Sequence, residues 1–320
     1  MSPEGVAFWW AQTAYRSIAI PSVPLFVMLT GVLLLRPEKT DEPLRLFFKK
    51  RWKRIGIPVI FWGAIYFVWQ FLFRDQTATA DFVFRGILTG PYFHFWFIYI
   101  LIGLYLLTPL LRVIVSYADW KIIKYFLVLW LVGSAVVPLI GLYSDLRNPA
   151  FWFQQSLFLL TGLVGYYILG AYISRLQWRR RTLLSMYVLS TVFMMLGTYA
   201  TVGTLGENYA VAFLTSSSIT AIPASIGLFL LITSTPNSAM EKHKKTSRVL
   251  SVISQNTLPI YLFHVIVLET LENGYLGFQL SVTTLNPVVE IPLVTAVTLL
   301  ICLAILVPLK KVPYLRRILG

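Results

Sequence analysis

"RWKRIGIPVIFWGAIYFVWQFLFR", residues 51–74, opens on Arg51, Lys53 and Arg54, then runs from Ile55 to Phe73 without a charge and closes on Arg74. An uncharged apolar run of roughly 17–25 residues spans bilayer hydrocarbon as one helix. A helix is the natural form there, because it pairs its own backbone groups where no water can. The segment therefore reads as a membrane span, 55–73, entered through a basic loop.

The same reading extends over the chain. Further apolar stretches fall at 17–35, 93–115, 122–142, 153–173, 183–203, 209–232, 256–273 and 290–308, which makes nine expected spans. The least apolar is 256–273, which carries His264, Glu269 and Glu272. Pro21, Pro24, Pro109, Pro223 and Pro292 lie in or at the ends of spans, where neighbouring helices can satisfy the freed carbonyls. No internal repeat, low-complexity tract or soluble domain is visible. The expectation is an all-α, polytopic transmembrane helical bundle forming a single integral-membrane domain over residues 1–320.

Composition agrees with this. Hydrophobic residues make up 57% of the 320 and charged residues 12%, with mean hydropathy +0.73. Soluble domains keep about a quarter of their residues charged. Aromatic side chains are plentiful (10 Trp, 17 Tyr, 22 Phe), as suits rings at headgroup level. The single Cys302 excludes an intrachain disulfide and a cysteine-based metal cluster.

The net charge of +14 is not by itself a nucleic-acid signal, and no nucleic-acid partner is expected; what matters is where the cations fall. Alternate loops hold 23 Lys and Arg (eight of them in 36–54), while the opposite set holds only Arg16, Arg74, Arg85 and Arg147. By the positive-inside rule the 23 face the cytoplasm, and so does the C-terminus. Nine spans then leave the N-terminus outside, an arrangement that one further span ahead of residue 1 would normalise. The first fifteen residues have no basic start and contain Glu4, so no cleavable signal peptide is expected.

Ionisable residues inside spans are costly and ask for a reason. His94, in "PYFHFWFIYILIGLYLLTPLLR" (91–112), is either an interfacial anchor among aromatics or a base or substrate ligand. His264, in "NTLPIYLFHVIVLETLENG" (256–274), is either hydrogen-bonded to a neighbouring helix or part of a polar cavity. Glu269 and Glu272 follow it at i+5 and i+8, and helical periodicity places Glu272 closer to its face. Neither histidine has a metal-ligand spacing, so no metal is expected. No Walker loop or GxSxG elbow is present. Thr30-Gly31 and Thr215-Ser216-Ser217-Ser218 read as small polar residues for close helix packing, with cavity lining as the alternative.

Four segments, in order, resemble the membrane-bound acyltransferase 3 family. "SVPLFVMLTGVLLL" (22–35) is similar to its apolar span ending in Ser-Gly, with Thr30 in place of Ser. "FFKKRWKRIGIPVIFW" (47–62) resembles its basic loop running into Arg-Ile-x-x-Pro, carried by Arg54, Ile55 and Pro58. "HFWFIYILIGLYLLTPLLR" (94–112) resembles its His-x-Trp-Phe segment through His94, Trp96, Phe97, Tyr105 and Pro109. "LPIYLFHVIVLE" (258–269) is similar to its late Ile-Tyr-Leu-x-His span through Tyr261 and His264.

The resemblance implies an O-acyltransferase that moves an acyl group, usually acetyl, from acyl-CoA to a hydroxyl of a cell-surface carbohydrate or lipid-linked sugar. It implies no permanently bound cofactor and a bacterial inner or plasma membrane setting, with membrane lipids as neighbours. Polyanionic CoA calls for cations at the cytoplasmic edge, and the resemblance assigns that part to Lys50, Arg51, Lys53 and Arg54. Arg54 is the one expected to reach inward, since a planar guanidinium binds phosphate bidentately. His94 and His264 fall on the catalytic or acceptor side. The family also starts with a helix bearing an Arg and, further along, a His that the resemblance makes central to catalysis, with no counterpart ahead of His94 here. It has one span more than the nine read here. That helix is expected ahead of "VAFWWAQ" (6–12). Rival readings are a transporter or flippase of a polysaccharide precursor, and a non-catalytic family member.

Overall fold

The computed structural model describes residues 3–136, 162–174, 176–206, 210, 212–235, 244–281 and 286–320, and among them every regular element is a helix. In chain order α1 spans Pro3–Ala19, α2 Ser22–Leu34, α3 Leu44–Arg51, α4 Ile57–Phe73, α5 Ala80–Thr89, α6 Trp96–Tyr117 and α7 Trp120–Leu131. There follow α8 Gly162–Ile173, α9 Arg180–Leu205, α10 Ala221–Thr233, α11 Lys244–Gln255, α12 Thr257–Glu272, α13 Pro287–Leu309 and α14 Pro313–Leu319. A π-helical turn, Trp52–Gly56, joins α3 to α4 without a break.

Among the described residues, five helical stretches are long and apolar enough to cross a membrane: Gly5–Leu34, Leu44–Phe73, Ala80–Tyr117, Arg180–Leu205 and Pro287–Leu309. A sixth is possible if α11 and α12, bent by 77° at Asn256, count as one span. The apolar helices α8 and α10 are shorter. The expected spans 122–142 and 153–173 lie partly outside the described residues. The chain is an all-α integral membrane protein. Large apolar side chains stand exposed along the spans, such as Leu72, Leu110 and Leu300, where lipid rather than water is their solvent.

One expected span is only half a helix. Among the described residues of 209–232, α-helix begins at Ala221, and 212–220 turns irregularly before it. The cause is local. The Ser218 hydroxyl accepts from the Ala221 amide (3.0 Å), and the Ser216 carbonyl accepts from the Tyr166 hydroxyl (2.7 Å). Such side-chain bonds offer the backbone an alternative to helix, and irregular backbone is tolerated at membrane depth where protein groups satisfy it. The serine run therefore ends a turn and caps a helix, where close packing inside a span was the expectation.

The chain divides into two compact units. In the first, residues 1–41 and 107–236, α1 packs on α9, α2 on α10, and α9 on α10. Here Gly31 does serve close packing. A Cβ on it would overlap the Tyr167 carbonyl, and one on Gly170 would overlap the Met28 backbone, so α2 and α8 meet main chain to main chain. The buried Arg112 holds the turn after α2, donating to the carbonyls of Leu34 (2.6 Å) and Lys39 (3.0 Å).

The second unit, residues 42–106 and 237–320, is built on α4, α12, α13 and α14 around Trp62, Tyr66, Phe95, Leu262, Cys302, Leu306 and Leu319. Two long-range bonds fasten this core. The Trp62 indole donates to the Leu319 carbonyl (3.3 Å), and the Tyr66 hydroxyl donates to the Leu262 carbonyl (2.9 Å).

Candidate functional site

Every sequence-predicted site residue lies in the second unit. His94 sits in a short 3-10 turn, Phe93–Phe95, immediately before α6. It is only 4% exposed, enclosed by protein. Rings surround it, with Phe95 at 4.8 Å, Tyr66 at 4.9 Å and Tyr261 at 5.7 Å between centroids. Its backbone carbonyl accepts a hydrogen bond from the Tyr261 hydroxyl, which ties the turn to α12. Neither ring nitrogen has a hydrogen-bond partner among the described residues. Leaving a buried polar group unpaired costs about 1–3 kcal/mol, a cost native structures rarely carry without a use for the group.

His264 comes from the middle of α12, and its ring lies 5.4 Å from that of His94 in an edge-to-face arrangement. Its Nδ1 lies 2.7 Å from the Tyr261 carbonyl one turn earlier. A carbonyl only accepts, so this bond requires the proton on Nδ1 and leaves Nε2 with its lone pair. The helix thus sets the tautomer. The neighbouring-helix partner that sequence reasoning allowed for His264 is replaced by its own helix.

Beside the histidines is a carboxylate knot. Glu269 accepts from the Trp69 indole (2.6 Å), from the Arg74 guanidinium (2.5 Å) and from the Tyr92 hydroxyl. Arg74 lies just past the end of α4, outside the span, and the bonded carboxylate raises its pKa above the ordinary value for arginine. Tyr92 stacks on Tyr66 at 5.0 Å, with the His94 ring 6.0 Å away. One carboxylate therefore joins α4, the turn carrying His94 and the helix carrying His264.

Helical periodicity puts Glu272 closer than Glu269 to the face of His264, yet Glu272 is exposed and Glu269 is buried. Periodicity within one helix cannot see that Trp69, Arg74 and Tyr92 converge from elsewhere. Arg74 reads in sequence only as an outer-loop charge. Its position at the end of an apolar run was the one available signal.

The basic residues separate into distinct environments. Lys50 is paired with Glu42 at 2.7 Å and is about half exposed. Lys53 and Arg54 are exposed. Arg51 is half-buried, its guanidinium 4.7 Å from the centre of the Phe47 ring and 5.6 Å from that of Tyr105. Stacking of this kind orients a guanidinium while leaving its N–H fork available. Tyr105 lies eleven residues after His94. At about 1.5 Å rise per residue the two levels are separated by roughly 16 Å along α6. Among the described residues no group of three or more His, Cys, Asp and Glu converges as metal ligands would.

A family model described as an acyltransferase domain matches residues 2–307, which includes all of these side chains. No curated protein and no solved structure matches the chain.

Proposed function

The chain belongs to the acyltransferase 3 family, and on that premise we propose that it transfers an acyl group, acetyl in the first instance, from acyl-CoA to a hydroxyl of a cell-surface carbohydrate or lipid-linked sugar. The observation that carries the reading is the close His94–His264 pair, His94 buried and His264 half-buried, with Nδ1 of His264 committed to the Tyr261 carbonyl. In this reading Nε2 of His264 is the base. It takes the proton of the acceptor hydroxyl as the oxygen attacks the thioester carbonyl. The carbon–sulfur bond then breaks, and the imidazolium returns its proton to the departing CoA thiolate. His94, adjacent and without a ring-nitrogen partner among the described residues, in this reading accepts or donates a hydrogen bond to acceptor or intermediate.

Arg51, aligned by its two rings, is the first candidate for the CoA phosphates, with Lys50, Lys53 and Arg54 as its exposed surroundings. The separation along α6 supports this division, because an extended pantetheine arm bridges a distance of that order. The charge bias of the loops supports a cytoplasmic donor side.

The test is direct. The full chain, reconstituted in liposomes with labelled acetyl-CoA and candidate glycans or lipid-linked sugars, is expected to yield labelled ester. Acetyl-CoA that neither binds nor is consumed, with proton-coupled movement of a sugar precursor instead, would replace the reading by transport.

A further inference from the structure

The helix α11, KKTSRVLSVISQ, is two-faced. Val249, Leu250, Val252 and Ile253 occupy one side, while Lys244, Ser247, Arg248, Ser251 and Gln255 occupy the other. Lys245 and Thr246 enter the apolar side in the first turn, where a long lysine stem can carry its head to the polar level. None of its residues is buried, and Val249 is 58% and Leu250 47% exposed. Two further observations say where this helix lies. It meets α12 at 77°, so it runs nearly at right angles to a helix of the spanning core. Its last carbonyl, that of Gln255, accepts from the Lys310 ammonium at 3.0 Å, and Lys310 is the residue at which the spanning helix α13 ends. The C-terminal end of α11 is thereby fixed at the level where α13 leaves the hydrocarbon. Lys310, Lys311, Arg316 and Arg317 gather at the same end of α13.

We propose that α11 is an interfacial anchor that lies in the membrane plane, with Val249, Leu250 and Ile253 in the acyl-chain boundary and Lys244, Lys245 and Arg248 against anionic lipid headgroups. A spanning half-helix would place three cations of its first turns in hydrocarbon, which is costly. A helix in water would leave the apolar side uncovered. The interface satisfies both faces, as it does for amphipathic helices of this composition, and each basic residue near an anionic surface adds about 1 kcal/mol of attraction. Because α12 continues directly from Asn256, the anchor also fixes the end of the helix that bears His264 and Glu269.

The experiment uses the full chain in nanodiscs, with Val249 or Arg248 replaced by cysteine and labelled with bimane or a nitroxide. Cys302 is fully buried and stays out of reach of the label. The label on V249C is expected to be accessible to oxygen and that on R248C to a water-soluble nickel complex. Brominated phosphatidylglycerol should quench the V249C bimane severalfold more than brominated phosphatidylcholine at equal mole fraction, and the combined K244Q/K245Q/R248Q change should remove that preference. A label at 249 that is open to nickel would overturn the proposal in favour of an aqueous helix. Labels at 248 and 249 that are both deep in lipid would overturn it in favour of a spanning segment. Equal quenching by the two lipids would overturn the anionic preference. All three readouts are independent of acyl transfer, so they stand apart from the catalytic reading.

Discussion

The rings of His94 and His264 lie 5.4 Å apart, edge to face, although 170 positions separate the residues in sequence. The first arrives on a 3-10 turn and the second on α12, and the Tyr261 hydroxyl, bonded to the His94 carbonyl, joins the two segments. Their proximity makes the pair, rather than either residue, the centre of the site.

Replacement of His264 by Ala is expected to lower acyl transfer by about 10²–10⁴-fold, the range of general base catalysis. His264→Gln should not restore it, because a carboxamide can donate and accept but cannot carry a proton away. The rate with labelled acetyl-CoA in liposomes checks this, with chromatographic behaviour as the control for folding. Activity within a factor of a few of the original would remove His264 from the base role.

Glu269→Ala leaves the Trp69, Tyr92 and Arg74 donors without their shared acceptor. The expected loss is about 1–3 kcal/mol, the usual range for unpaired buried groups, since Arg74 is 44% exposed and its part is partly screened. Glu269→Gln keeps the shape and a neutral acceptor, and should lose less. Thermal unfolding in detergent would test the order; equal loss in both variants would mean that charge, not hydrogen bonding, holds the knot.

Arg51 and Lys50 are neighbours with opposite expectations. Arg51→Lys keeps the charge but loses the planar stack over Phe47 and Tyr105, and should raise KM for acyl-CoA about tenfold or more, the worth of one charge-assisted bidentate contact. Lys50→Gln breaks only an exposed pair with Glu42 and should change KM little. An unaltered donor KM in Arg51→Lys would move the phosphate site elsewhere.

Gly31→Ala and Gly170→Ala each force a methyl into opposing main chain, and are expected to cost about 1–3 kcal/mol as α2 and α8 separate. Gly103→Ala, where a Cβ meets nothing within 4 Å, serves as the control and should be neutral or slightly stabilising. Melting temperatures of the three variants decide it. A neutral Gly31→Ala would mean that the two helices do not rely on backbone contact.

Sequence by itself determined the class of this protein. An uncharged run such as 55–73 has one stable form in hydrocarbon, and helical length and composition are local properties. It also singled out His94 and His264, because ionisable side chains are rare enough in spans to stand out. Within the basic loop it favoured Arg54, whereas the structure stacks Arg51 on two rings and leaves Arg54 exposed. Sequence did not show that the turn 212–220 interrupts an apolar stretch, since the bond from Ser218 to Ala221 is local but the one from Tyr166 to the Ser216 carbonyl comes from a helix fifty residues away. Nor did it select Glu269 over Glu272. Helical phase put the latter nearer the face of His264, and only the convergence of Trp69, Arg74 and Tyr92 made the former the buried carboxylate. Spans are written in hydrophobicity, residue by residue. The tautomer of His264 is set within its own helix, but the partners of Glu269 were decided by packing, which brings donors from distant segments within three ångströms of one carboxylate.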